Sequence, residues 1–313
     1  MRPNPIKADG LEGIDLGSSG GLRAAFAPGA NLILHSLTLA GRELLAQNDG
    51  LSGYAQRGAT MGVPLLYPWA NRLSAFRYRA AGRLVVLDRD HPAFALDPNG
   101  EPIHGAHPNL LRWEVLGRGT GDDGAWMRAH LAWERSHTAF GLFPFPHRLE
   151  YHAVVTQSTV RITVLLESTE NQPVPVCFGF HPYLRILGGS RTQAQITLPV
   201  TRRLVLDELM IPTGETDAIE PGPRALGDSV WDDGFRDVEA GARFLLSGGD
   251  GQVSLRFLRG YPFAQVYAPA GSDFVCFEPM TAPTNALVRG GPDLQLVAPG
   301  ETYEAGFEIS VAP

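Results

Sequence analysis

Hydrophobic positions along this chain recur mainly at every second residue. Between Arg148 and Ser168 the sequence reads RLEYHAVVTQSTVRITVLLES, in which Val160, Ile162, Val164 and Leu166 alternate with Arg161, Thr163 and Leu165. Period two is the repeat of a strand with one buried face, not the 3.6-residue repeat of a helix. The TQST stretch stands where a hairpin turn belongs. RWEVLGRGTGDDGAWMRAHLAW and ARFLLSGGDGQVSLRFL follow the same pattern, each with a Gly/Asp cluster between two apolar or alternating runs. LRAAFAPGANLILHSL reads as a further hairpin around a Pro-Gly turn.

The 36 glycines and 25 prolines are spread along the chain rather than gathered in a linker. Punctuation at that density leaves little room for long helices and suits many short strands joined by turns. The longest interval free of both residues, His147 to Gln172, is itself strand-like. No strand-then-helix alternation points to a doubly wound sheet, and no fixed-period repeat points to a solenoid or propeller. The sequence therefore predicts an all-β fold, mostly antiparallel, as a large sandwich or open barrel. A chain of 313 residues is long enough for one large β domain or two smaller ones. No composition shift marks a boundary, so one domain over residues 1–313 is expected.

Composition narrows the function classes. The net charge of −7 and pI near 5.7 run against a general nucleic-acid binder, which needs Lys and Arg to neutralise phosphates. No run approaches the roughly 18 apolar residues of a membrane-spanning helix. The opening MRPNPIKADGLEGIDLG lacks the apolar centre of a secretory signal, so a cytoplasmic protein with a small-molecule partner is expected. Cys177 and Cys276 both sit in apolar runs, as small buried hydrophobes do, although the sequence leaves a single bridge open.

Three motifs suggest chemistry that their surroundings do not support. GSSGG at Gly17–Gly21 fits the G-x-S-x-G pattern, but a hairpin follows it instead of a helix. His104 and His107 in HGAH, with His181, imitate a three-histidine metal site. Three-residue spacing gathers side chains on a helix, whereas EPIHGAHPN carries a glycine and two prolines, and an extended segment would turn the two histidines to opposite sides. GRGTG at Gly117–Gly121 serves better as a hairpin loop than as a phosphate cradle.

Four other stretches carry polar groups into apolar surroundings. GVPLLYPWANRL (62–73) ends an apolar run with Trp69, Asn71 and Arg72. IHGAHPNLLRW (103–113) contains His104. VPVCFGFHPYLRI (174–186) wedges His181 between a strand-like run and a proline. FVCFEPMTAPTNAL (274–287) ends four apolar residues at Glu278, and a carboxylate at the end of a buried strand needs a partner.

Taken in order, Asn71-Arg72, His104-Gly105, His181-Pro182-Tyr183, Asp232 in WDDGF and Glu278-Pro279 resemble the landmarks of the aldose 1-epimerase (galactose mutarotase) family. Each dipeptide is common, while the ordered set is specific, and the resemblance runs from about residue 62 to the C-terminus. It implies a large β-sandwich with an open sugar cleft and neither metal nor organic cofactor. It also implies interconversion of the α and β anomers of a free aldose. Opening a cyclic hemiacetal removes a proton from the anomeric hydroxyl and gives one to the ring oxygen. Glu278, ionised in a polar cleft, suits the base, and His181, able to hold a proton near neutrality, suits the acid. By resemblance Arg72, Asn71 and Asp232 orient the sugar and His104 assists near its anomeric or ring oxygen. Asp232 is chosen over Asp233 because it stands three residues before Phe235. Trp69 is expected to stack on the sugar.

Three rivals remain at this stage. A hexose-6-phosphate 1-epimerase would need added basic groups, for which Arg77, Arg79 and Arg83 are candidates, though their alternation in RYRAAGR looks like the solvent face of a hairpin. A non-catalytic sugar-binding or sensor protein would have no reason to keep both Glu278 and His181. Glycoside hydrolysis needs two carboxylates, which Asp232 and Glu278 could supply, but would leave the histidines idle. The sequence allows a monomer or a homodimer.

Overall fold

Strand alternation sorts the side chains of this chain into one large apolar core and a set of outer faces. The computed structural model describes residues 4–8, 10–18, 21–122 and 124–312. Its widest layer is a nine-stranded antiparallel sheet. Four of its strands, Glu114–Gly121, Gly124–Trp133, His147–Val155 and Thr159–Ser168, follow one another as hairpins, and the long Thr302–Ala312 strand joins them to the rest. Leu149, Tyr151, Ala153 and Val155 lie opposite Leu166, Val164, Ile162 and Val160, and all eight are buried, as the period-two reading requires.

Facing this sheet is an eight-stranded one whose centre is formed by Trp231–Arg236, Phe263–Ala268 and Phe274–Met280. Phe180 meets Phe307 at 4.9 Å between ring centres and Phe244 meets Phe277 at 5.4 Å, so aromatic side chains from the two layers interdigitate. Five strands between Asn4 and Glu43 form a third sheet in chain order. It covers another part of the large sheet, with Phe26 edge-on to Tyr151 at 6.2 Å. Such face-to-face layering with an aromatic interior is a sandwich, not a barrel.

Among the described residues the only α-helices are Gly50–Arg57 and the single turn Ala286–Arg289. None is long and apolar enough to cross a membrane. Cys177 and Cys276 are both buried and free, so the bridge left open by the sequence does not form. In GSSGG, Ser19 and Gly20 lie outside the described residues. GRGTG is not a loop: it belongs to the Glu114–Gly121 strand, where Gly117 and Gly119 make room for the flat ring of Trp126.

His147 is fully buried in the core and stacks with Trp133 at 6.0 Å. Its Nδ1–H donates to the Phe145 carbonyl, which leaves Nε2 to accept from the Tyr67 hydroxyl. Burial lowers the imidazole to about 3, against the opposing effect of the Phe145 carbonyl. In the unfolded chain the ring titrates near ~6.5. Between those values the unfolded state binds the extra proton, so this contribution to stability is complete above the unfolded value and is lost as pH falls toward 3. Urea unfolding from pH 7 to 4 is expected to show falling stability, with a shallower slope in His147→Gln. An equal slope in both proteins would count against this role.

Candidate active site

The eight-stranded sheet has one apolar and one polar face, and the Phe274–Met280 strand divides them. Val275 and Phe277 point into the core, while Cys276 and Glu278 point outward. Opposite Glu278, across the ladder, stands Gln265, and opposite Tyr267 stand Cys276 on one side and Asp232 on the other. On the remaining side the neighbouring chain pairs twice. Gly179 lies opposite Met280 and Tyr183 opposite Cys276, so His181 falls opposite Glu278 in the same register. The ladder is broken there, since Pro182 has no N–H and the His181 N–H donates instead to the Pro64 carbonyl at 3.1 Å. Glu278 is therefore not at a strand end, as its sequence suggested. It lies within the strand, beside the gap that HPY leaves.

His181 Nε2 is 3.3 Å from Glu278 Oε1. The imidazole stacks on Tyr183 at 4.5 Å, and the Tyr183 hydroxyl is fixed by Thr60 at 2.6 Å. Both members of the pair are nearly enclosed, and His181 Nδ1 and Glu278 Oε2 have no partner. Burial raises the Glu278 carboxyl well above the usual carboxylate range, with Asp232 adding to the shift and Arg72 opposing it. Burial lowers His181 well below its usual value, and His104 adds to that. The sequence led us to expect a carboxylate and an imidazolium. Burial instead favours a carboxylic acid beside a neutral imidazole, which holds the same single proton.

The opposite wall comes from irregular backbone. Asn71 and His104 both adopt left-handed conformations, at φ 58° and 60°, and the His104 N–H donates to the Asn71 carbonyl at 3.0 Å. Gly105 follows at φ 72°, packed so closely that a Cβ there would overlap the Tyr67 carbonyl. This kink, a bulge in the short Pro102–Ala106 strand, aims His104 into the cleft, where its ring meets His181 edge-on at 5.8 Å. Burial, then Arg72, lower His104 to about 3. His107 does not line the cleft, and among the described residues no three His, Cys, Asp or Glu side chains converge as a ligand set.

Arg72 reaches across this wall. Its Nε donates to Asp97 Oδ2 at 2.9 Å, Nη1 to Asn71 Oδ1 at 3.1 Å, and Nη2 lies 3.9 Å from Asp232 Oδ2. Asp232 also accepts from Gln265 Nε2 at 2.6 Å, whereas Asp233 turns away to Arg203. These groups enclose a cavity of about 180 Å3 that brings together Glu278, His181, Arg72, His104, Asp232 and Asn71. Trp69 is excluded from it. At 1% exposure it is packed against Phe94 beneath the cleft, so the expected stacking surface for a sugar is not available. Sequence reasoning missed Thr60 and Tyr267, which line the cleft, and Asp97 and Gln265, which hold Arg72 and Asp232 from behind; none of the four stands in a motif, and only pairing between distant segments brings them here.

The residue pattern of the aldose 1-epimerase family matches residues 18–310. The chain belongs to the aldose 1-epimerase family. The match begins well before residue 62, where the sequence resemblance became visible. Among solved structures, a galactose mutarotase-like protein from Clostridium acetobutylicum superposes with a TM-score of 0.83 at 16% identity, covering 99% of this chain and 98% of that one. A Synechocystis protein gives 0.76 at 22%, covering 99% and 95%. The galactose 1-epimerase from Lactobacillus acidophilus gives 0.75 at 14%, covering 99% and 98%. At these identities the likeness is one of fold. A search of curated protein sequences finds no match. The fold of this aldose 1-epimerase family member is thus the all-β, mutarotase-like sandwich that its alternation predicts.

The close contact at Gly105 ties this geometry to folding. Gly105→Ala forces backbone apart and strains a left-handed residue, and overpacking of this kind costs about 1–3 kcal/mol. Urea unfolding should show a loss of at least that size, and wild-type stability in the variant would contradict the packing described.

Proposed function

We propose that this protein is an aldose 1-epimerase that interconverts the α and β anomers of a neutral aldose, with Glu278 as base and His181 as acid. The observation that carries the reading is the enclosed Glu278–His181 pair, opposed across a broken ladder and lined up on one face of a polar cleft. The pair holds one proton. As the sugar docks, the shared proton passes from the Glu278 carboxyl to the His181 imidazole, so that the anomeric hydroxyl donates to a carboxylate and the ring oxygen accepts from an imidazolium. Taking the first proton and giving the second breaks the C1–O5 bond and leaves a carboxylic acid, a neutral imidazole and the open aldehyde. Rotation about C1–C2 presents the other face of the carbonyl. The two transfers then run backwards, closing the ring and restoring the pair.

Arg72, Asn71 and Asp232 hold sugar hydroxyls by hydrogen bonds, the charged ones being the stronger, and His104, kept neutral by burial, assists beside them. Arg72 supplies the cleft lining with its cation and is already flanked by Asp97 and Asp232. Arg77 and Arg79 are exposed on a hairpin and do not line the cleft, which supports a neutral sugar over a phosphorylated one. The core running from Ile14 to Val311 supports a single domain, and the two buried free thiols accord with a cytoplasmic location.

Polarimetry on freshly dissolved glucose, galactose, xylose and arabinose tests the reading. Wild-type protein should accelerate approach to anomeric equilibrium for at least one sugar. Glu278→Gln and His181→Asn should each lower kcat by about 10²–10⁴-fold with little change in KM. A wild-type protein that accelerates none of them would overturn the assignment.

A further inference from the structure

Behind the cleft lies a buried charge that does not line its cavity. The Asp97 side chain is 1% exposed. Its Oδ1 accepts the backbone N–H groups of Asn99 and Glu101 at 2.8 and 3.0 Å, and its Oδ2 accepts Arg72 Nε at 2.9 Å. Burial works against ionising this carboxyl, but the Glu101 amide, Arg72 and the Asn99 amide outweigh it and hold the group below the usual carboxylate range. It is thus a fixed anion directly behind the cation of the site. With Nε bound to Asp97 and Nη1 to Asn71, the guanidinium is held from behind and its Nη2 edge is left toward Asp232.

We propose that Asp97 is a positioning residue of the cleft: it fixes the plane of the Arg72 guanidinium and offsets its charge, so that the Glu278–His181 pair works beside a balanced wall instead of a cationic one. This rests on the assignment of Glu278 and His181 as the proton-transfer pair. The charge argument follows from what surrounds Glu278. His181 and Tyr183 face it from the neighbouring chain, Cys276 from its own strand, and Tyr267 and Asp232 from the other side. Arg72 and His104 face it across the cavity. Burial and Asp232 raise its carboxyl while Arg72 is the influence that lowers it, and His104 is lowered by burial and then Arg72. An Arg72 without its counter-ion would pull the proton-transfer groups further in that direction.

Asp97→Asn isolates the interaction, because an amide oxygen can still accept the two loop N–H groups while the amide nitrogen cannot accept from Arg72. Its kcat/KM should fall about ten- to a hundredfold, mostly through KM. Both limbs of the pH–rate profile should move to lower pH. Asp97→Glu keeps the charge but displaces the carboxylate, so it should raise KM with the limbs in place; it also serves if the asparagine variant does not fold. Carbon-13 NMR of the Glu278 carboxyl gives a readout independent of turnover, and its midpoint should fall in Asp97→Asn. If the wild-type protein converts no sugar, the function proposed above fails while the NMR comparison still decides the charge effect. Unmoved limbs and an unmoved Glu278 midpoint in Asp97→Asn, or an unchanged KM in Asp97→Glu, would overturn the inference.

Discussion

The site depends on the register of one strand. In Phe274–Met280 the alternation that sends Val275 and Phe277 into the aromatic core also sends Glu278 outward, and the pairing on either side places Gln265 and His181 next to it. A slip of one residue would bury the carboxylate and expose Phe277. The apolar side of the strand makes that slip costly, since Phe277 packs against Phe244 of the facing sheet. Core packing and placement of the Glu278–His181 pair are therefore the same constraint seen from two faces of one sheet.

The cleft combines enclosure with polar groups left unpaired. Glu278 Oε2, His181 Nδ1 and His104 Nδ1 are buried without partners, an arrangement that costs free energy. Behind them Asp97 is fully bonded by its three donors, and Asp232 accepts from Gln265. Satisfied groups thus support unsatisfied ones, as in a site built to receive a polar ligand.

Much of the fold was legible because strand alternation is local: the hairpins around TQST and SGGDG lie where the sequence puts them. The ordered dipeptides likewise identified Glu278, His181, Arg72, His104 and Asp232, and the cleft gathers all five. What could not be read is what arises from pairing between distant segments. Nothing in FALDPNGEP signals that Asp97 will meet Arg72, and nothing in FAQVYA signals that Gln265 will stand between Asp232 and Glu278. Trp69 was misread because an aromatic beside Asn71-Arg72 resembles a ligand platform, whereas the chain turns there and drives the indole inward. The burial of the pair was not legible for a related reason, since composition does not reveal how completely a carboxylate will be enclosed.

The two walls of the cleft differ in kind. Glu278, Gln265, Tyr267 and Asp232 stand on consecutive antiparallel strands of one sheet. Asn71 and Arg72 stand on an irregular segment and His104 in a bulge of the short Pro102–Ala106 strand, tied together by an isolated Arg72–Ile103 bridge and the His104–Asn71 backbone bond. A sequence change in the second wall can reposition Asn71, Arg72 and His104 without disturbing Glu278 beneath them. Such a division leaves one half of the cleft free to drift while the half built on paired strands stays as it was.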